Sequence, residues 1–255
     1  MDVRCAVYLP DQRRIITCSL DGSLRLWNIE SGVQIGNDWR DDDDDGGGDD
    51  DRRNAGVLII ALSPNGKTVA SGGVDGKVRL WDVEMKTVVA KWTGHTQRMR
   101  SLCWSVDGEQ VVSGSKDATM RVWDVESGDT VLGPIKTGHQ GVHAVIYSPD
   151  TTKIATGGYK ETGLRIWDAK TGNLLFAINH DDTIWSLAWT SNEKKIITGS
   201  HEGSIRIFDT ATWEQIAILE GHTFIVSSLS HLGYPISKAY YSCTHIDRPD
   251  SIFRH

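Results

Sequence analysis

What this 255-residue sequence has little of narrows its class before any motif is weighed. It has four cysteines, Cys5, Cys18, Cys103 and Cys243, which lie far apart with no paired spacing. That pattern does not read as a disulfide scaffold or a zinc ribbon, and it fits buried thiols in a reducing compartment. No apolar run approaches the roughly 20 residues that a membrane-crossing helix needs. The opening "MDVRCAVYLP" lacks a basic stretch followed by a long apolar one, so it is not expected to be a signal peptide. A phosphate-cradling glycine loop with its lysine is missing, and so is any pair of metal ligands at helical spacing. The expectation is a soluble cytoplasmic protein with no membrane association, no resident cofactor and no metal.

Basic charge in excess is also lacking. The formal net charge is −7. Residues 38–51 hold nine aspartates (Asp38, Asp41 to Asp45, Asp49 to Asp51) against Arg40 alone, so the remainder of the chain sums to about +1. A near-neutral body with one acidic stretch offers no electrostatic footprint for sequence-independent nucleic-acid binding, and no specific nucleic-acid partner is expected. The stretch gives a calcium-loop-like D-x-D-x-D-G at Asp41, Asp43, Asp45 and Gly46, but Arg52 stands where a calcium loop needs glutamate. Three glycines in its middle argue against a fixed cage. It reads as a solvated insertion over 38–53, or as an acidic arm that screens a basic rim.

What the sequence does have is repetition. One unit recurs five times: "IITCSLDGSLRLWNIESG" from Ile15, "VASGGVDGKVRLWDVEMK" from Val69, "VVSGSKDATMRVWDVESG" from Val111, "IATGGYKETGLRIWDAKTG" from Ile154 and "IITGSHEGSIRIFDTATW" from Ile196. Each unit breaks into short alternating strands separated by turn residues, four strands to a unit. One such sheet cannot bury both faces, so the units must stack.

The dipeptides Trp81-Asp82, Trp123-Asp124 and Trp167-Asp168, with Trp27-Asn28 and Phe208-Asp209 as variants, resemble the WD-repeat β-propeller family. Gly94-His95, Gly138-His139 and Gly221-His222 carry the same resemblance, which covers about residues 1–230. It implies an all-β fold: a β-propeller of four-stranded antiparallel blades, five blades plus the first strand of a sixth, in an open or incomplete ring. The nearest sub-type resemblance is to fungal WD-repeat arrays that follow a signalling NTPase domain. After Ser230 the pattern stops. Residues 231–255 form a divergent tail, read either as the product of truncation or mis-splicing or as a cap over an open blade.

The family pattern also implies a structural relay in each blade, running from His through Ser/Thr and a turn Asp to Trp. A buried indole N–H needs an acceptor, and a hydroxyl can accept it while engaging a histidine. The third unit matches throughout with His95, Ser113, Asp117 and Trp123. The fourth has His139, Thr156 and Trp167, with Lys160-Glu161 in place of the turn Asp. The second has Ser71, Asp75 and Trp81 but no upstream His, and the fifth has His180, Thr198, Glu202 and Phe208. A His-Asp-Ser set can also suggest a hydrolase triad, but a serine on an interior strand is poorly placed for one.

The resemblance implies a docking platform whose mouth face holds peptides or domains. Aligning the first strands gives one mouth-facing position per unit: Arg4, Leu58, Arg100, His143, Trp185 and Ser227. The residue before each turn acid adds Leu20, Val74, Lys116, Lys160 and His201. These sets offer cations and an aromatic but no carboxylate, which favours binding over catalysis. The expected partners are other proteins, among them acidic or phosphorylated peptides, and self-association through open blade edges. The alternative is an enzyme or cation-binding propeller that uses its channel or the acidic stretch.

Overall fold

The computed structural model describes residues 3–41, 56–159, 163–179, 182–227 and 229. Those residues form nineteen strands and no helix. Blade one holds β1 (Val3–Tyr8), β2 (Arg14–Ser19) and β3 (Leu24–Asn28). Blade two is β4 (Val57–Leu62), β5 (Thr68–Gly73), β6 (Val78–Asp82) and β7 (Val88–Trp92). Blade three is β8 (Met99–Trp104), β9 (Gln110–Ser115), β10 (Thr119–Asp124) and β11 (Thr130–Lys136). Blade four is β12 (Val142–Tyr147), β13 (Lys153–Gly158), β14 (Leu164–Asp168) and β15 (Leu174–Ile178). Blade five is β16 (Ile184–Trp189), β17 (Lys195–Ser200), β18 (Ile205–Asp209) and β19 (Gln215–Leu219). All neighbours within a blade pair antiparallel and in chain order.

Blade one departs from the four-stranded expectation. In place of a continuous fourth strand, Gln34 bridges Trp27 and Trp39 bridges Leu24. Gly36, at φ 77°, lies between the two bridges and turns the chain out of the extended conformation that a ladder requires. Trp39 still closes the blade and is fully buried.

The second strand of each blade ends in a tight turn, and an aspartate locks three of these turns. Asp21, Asp75 and Asp117 each accept the backbone N–H two residues on, from Ser23 at 2.9 Å, Lys77 at 3.0 Å and Thr119 at 3.0 Å. The third strands then bury their aromatic: Trp81, Trp123, Trp167 and Phe208 are all inaccessible.

The first strands pack one on the next, β1 on β4, β4 on β8, β8 on β12 and β12 on β16. Glycine permits this close approach. A Cβ on Gly114 would lie 2.6 Å from Val142 Cγ1, so a larger residue would wedge blade three away from blade four. Among the described residues no comparable packing returns from β16 to β1, and the blades form an open series rather than a closed ring. A sixth unit begins: Val226 N–H donates to Ser200 O at 2.9 Å and Ser186 Oγ to Val226 O at 2.7 Å.

Among the described residues, the two ends of the series are less covered than its middle. Leu62, Trp104, Tyr147 and Trp189 end their first strands buried, whereas Tyr8 at the same position is 50% exposed. Trp27 is only half-buried. At the other end Ile205 and Ile207 are half-buried, while Met120, Val122, Leu164 and Ile166 at the equivalent positions are fully buried. Cys18 and Cys103 are buried free thiols, and burial pushes their pKa up to about 12 and about 11.

Candidate functional site

Blade three carries a continuous polar relay. Trp123 Nε1–H donates to Ser113 Oγ at 2.8 Å, and Ser113 Oγ lies 2.8 Å from His95 Nε2. His95 Nδ1 lies 2.9 Å from Asp117 Oδ2, and Thr119 Oγ donates to Asp117 Oδ1 at 2.6 Å. Burial alone would raise the Asp117 carboxyl. Hydrogen bonds from His95, Thr119 and the Thr96 N–H outweigh it and hold the group well below the usual carboxylate range. Ser113 has no exposed surface, so a substrate cannot reach this His-Asp-Ser set; it ties strands together. In blade four Trp167 Nε1–H donates to Thr156 Oγ at 2.9 Å, which lies 3.1 Å from His139 Nε2. Burial, reinforced by the charge of Arg165, lowers the His139 pKa to about 4. Blade five's Phe208 has no donor to offer Thr198, and His180 lies outside the described residues.

Blades one and two use a different device that motif reading missed. Every unit places arginine two residues before its aromatic: Arg25, Arg79, Arg121, Arg165 and Arg206. In blade three Arg121 Nη2–H donates to Gly94 O at 2.9 Å, and its guanidinium stands 5.7 Å from the Trp123 ring. In blade two Asp41 takes the arginine instead. Arg79 Nε donates to Asp41 Oδ2 and Nη2 to Asp75 Oδ2, both at 2.8 Å, with Lys91 Nζ 2.5 Å from Asp41 Oδ1. The Arg79 and Asp41 side chains are 2% and 7% exposed, which makes this a desolvated ion network. Burial raises the Asp41 carboxyl, but Arg79 and Lys91 outweigh it and the pKa falls. In blade one Arg25 holds Asp38 with two bonds of 2.9 Å and Asp21 with one of 2.8 Å. The Arg25 bonds lower the Asp38 pKa to about 2. The acidic stretch is therefore not solvated throughout: Asp38 and Asp41 are built into the fold because each meets a strand-three arginine. Asp42 to Asp45 and Asp49 to Asp51 lie outside the described residues.

The first-strand positions expected at the mouth share one backbone feature. The pairing register of each first strand skips a residue between Val3 and Cys5, Val57 and Ile59, Met99 and Ser101, Val142 and Ala144, and Ile184 and Ser186. The skipped residues are Arg4, Leu58, Arg100, His143 and Trp185. A bulge takes a side chain out of the strand's alternation and re-aims it. Leu58 is buried; the other four are half-buried.

The second set sits beside the first through one repeated backbone bond. In blades two to five, the residue three after the relay hydroxyl donates its N–H to the carbonyl two residues before the bulge. Val74 bonds Gly56 at 2.9 Å, Lys116 bonds Arg98 at 3.0 Å, Tyr159 bonds Gly141 at 3.0 Å and His201 bonds Thr183 at 2.9 Å. The register gives the blade-four position to Tyr159 and not to Lys160, which lies outside the described residues. Counting forward from Thr156, rather than back from the turn acid, would have found Tyr159. The extra residue in this unit falls after Tyr159 and misleads the backward count.

Several of these side chains meet across blades. The rings of His143 and Trp185 are 4.1 Å apart, Trp185 and His201 6.2 Å, and His143 and Tyr159 6.5 Å. The Arg100 guanidinium stands 5.9 Å from the Trp185 ring. Lys116 and His201 are exposed, and Tyr159 is 45% exposed. A Cβ on Gly141 would lie 3.6 Å from Lys116 Cα, which puts Lys116 at the junction of blades three and four. Arg4, Leu58, Leu20 and Val74 occupy the same positions in blades one and two, without an aromatic ring. Among the described residues no group of three or more His, Cys, Asp or Glu is placed to hold a metal ion.

Comparison with known proteins agrees with this architecture. The family model for the WD domain, G-beta repeat, matches residues 1–28, 52–82, 86–124, 132–168 and 172–209; each span holds the first three strands of one blade, and the last three also take in the outer strand of the blade before. The chain is 26% identical over 233 residues to the periodic tryptophan protein 2 homolog of Dictyostelium discoideum, covering 88% of this chain and 23% of that protein. It is 24% identical over 250 residues to protein HIR1 of Kluyveromyces lactis, covering 84% and 29%. It is 25% identical over 251 residues to autophagy-related protein 16 of Arabidopsis thaliana, covering 95% and 39%. The chain thus spans well under half the length of these relatives. They give no support to the narrower resemblance to arrays that follow a signalling NTPase. With matched spans over most of its length, five of them in register with the five sets of inner strands, the chain belongs to the WD-repeat family.

Proposed function

We propose that this chain is a non-catalytic docking scaffold, and that its mouth face receives an acidic or phosphorylated segment of another protein. The observation that carries the reading is the row of bulges: five first strands each lift one side chain at the same level, and three of these are Arg4, Arg100 and His143. Lys116 and His201 stand beside them, and none of the described mouth positions is a carboxylate. Such a rim attracts anions and steers them over the length of a Debye screen, about 8 Å at physiological salt. The relay and the arginine network make the blades rigid, which lowers the entropy lost on docking. Relatives as different in name as periodic tryptophan protein 2 and autophagy-related protein 16 support a scaffold and do not choose its partner.

The test places carboxylates at the two exposed positions with Lys116→Glu and His201→Glu together and measures binding of a glutamate-rich peptide by fluorescence anisotropy. Each exposed contact contributes at most about 1 kcal/mol, so the double variant should bind roughly ten-fold more weakly at low salt. The difference should shrink as salt rises. Unchanged affinity at low salt would overturn the reading.

A further inference from the structure

The rings at the mouth are confined to blades four and five, with their cations supplied from blade three. Tyr159, His143, Trp185 and His201 follow one another at centroid separations of 6.5, 4.1 and 6.2 Å. Arg100 covers part of Trp185 from blade three, and Lys116 stands exposed at the junction of blades three and four. The two ends of the line, Tyr159 and His201, are the exposed ones. The equivalent positions in blades one and two are Arg4, Leu58, Leu20 and Val74, where no aromatic ring is offered.

We infer that the mouth selects an extended peptide in which an aromatic side chain stands next to an acidic one. This rests on the docking reading above and narrows it. An incoming ring stacks against Tyr159 or His201 at little entropic cost, since neither partner has many rotatable bonds. Aromatic pairs gain about 0.5–1.5 kcal/mol beyond the area they bury. The neighbouring carboxylate or phosphate meets Lys116. A ring line of this kind also attracts cations, but here Arg100 already occupies the Trp185 face and Lys116 lies beside it, so a cationic ligand would meet like charge. A single-stranded nucleic acid needs a basic groove that tracks its backbone, and this body is near neutral outside the acidic stretch.

The experiment uses the full chain and three fluorescein-labelled peptides of equal length and charge. Each has a Gly/Ser background with two glutamates flanking a central Phe, Leu or Ala. The Phe peptide should bind about 2- to 10-fold more tightly than the Leu peptide, the factor that the aromatic gain converts to. Tyr159→Ala combined with His201→Ala should erase that preference, while the Leu and Ala peptides keep their ratio. Lys116→Ala should weaken all three alike. Circular dichroism melts of the variants confirm that they fold. Equal binding of the Phe and Leu peptides would overturn the aromatic selection and leave acidic docking standing. No binding of any peptide would overturn both. Tighter binding of oligouridylate than of the Phe peptide would overturn the choice of a peptide ligand.

Discussion

At the residue scale, the contrast between Trp123 and Trp27 isolates what the relay contributes. Both indoles donate to a hydroxyl on the second strand at 2.8 Å, Trp123 to Ser113 and Trp27 to Thr17. Trp123 and Ser113 are fully buried, and Ser113 also engages His95. Trp27 and Thr17 are half-buried, so water can replace the lost partner. Trp123→Phe removes the donor and leaves Ser113 under-satisfied in a dry interior, with a small void beside Trp92, whose ring stacks at 5.8 Å. The expected cost is about 1–3 kcal/mol, and Trp27→Phe should cost less than half as much. Urea midpoints at constant slope measure both. Equal shifts would show that volume, not the relay, sets the cost.

At the scale of one blade, the question is how a unit without its histidine stays together. Blade two answers with charge: Asp41 and Asp75 clamp Arg79 from two sides and Lys91 closes the network. Asp41→Ala removes one of the two carboxylates that, among the described residues, hold a guanidinium 2% exposed, and it removes Asp41 from Lys91. The expected loss is about 2–4 kcal/mol, close to that for breaking a buried pair. Glu84→Ala, an exposed carboxylate on the turn of the same blade, serves as the control. Thermal melts should separate the two variants, and indistinguishable melts would remove Asp41 from the framework. This network marks where legibility in the sequence ends. The blades were legible because Trp81, Trp123 and Trp167 recur with turn residues at fixed offsets, and that spacing follows from strand geometry. The bulge positions followed from the same alignment. Asp41 was not legible, because in a run of five aspartates nothing local distinguishes the one that meets Arg79 across 38 residues of chain. Nor was Tyr159, since an inserted residue moves the turn acid while the backbone bond to Gly141 stays fixed. Blade one's broken fourth strand follows from Gly36, a signal present in the sequence but outweighed there by the repeat.

At the scale of the whole molecule, stability and solubility pull on the same surfaces. Each internal junction buries a first strand and an aromatic against the preceding blade. The blade-one face that would take part in such a junction remains open, with Val3 56% and Tyr8 50% exposed and Trp27 half-buried. The blade-five face leaves Ile205 and Ile207 partly open, and the outer strands add Phe176, Ile216 and Ile218 to the exposed apolar surface. A contiguous apolar face beside unpaired strand edges is an association site unless something covers it. The 255-residue chain in isolation should therefore self-associate with rising concentration. Sedimentation velocity across a hundred-fold concentration range should show a weight-average mass that climbs above 28.2 kDa. Val3→Lys with Tyr8→Lys puts two charges on the open face of blade one and should hold the mass near the monomer over the same range. Because both positions are already half exposed, the double variant should melt within about 0.5 kcal/mol of the parent, as surface substitutions do. A parent that stays monomeric throughout would mean that these faces are covered within one chain, and the open series of blades would then have to close on itself in solution.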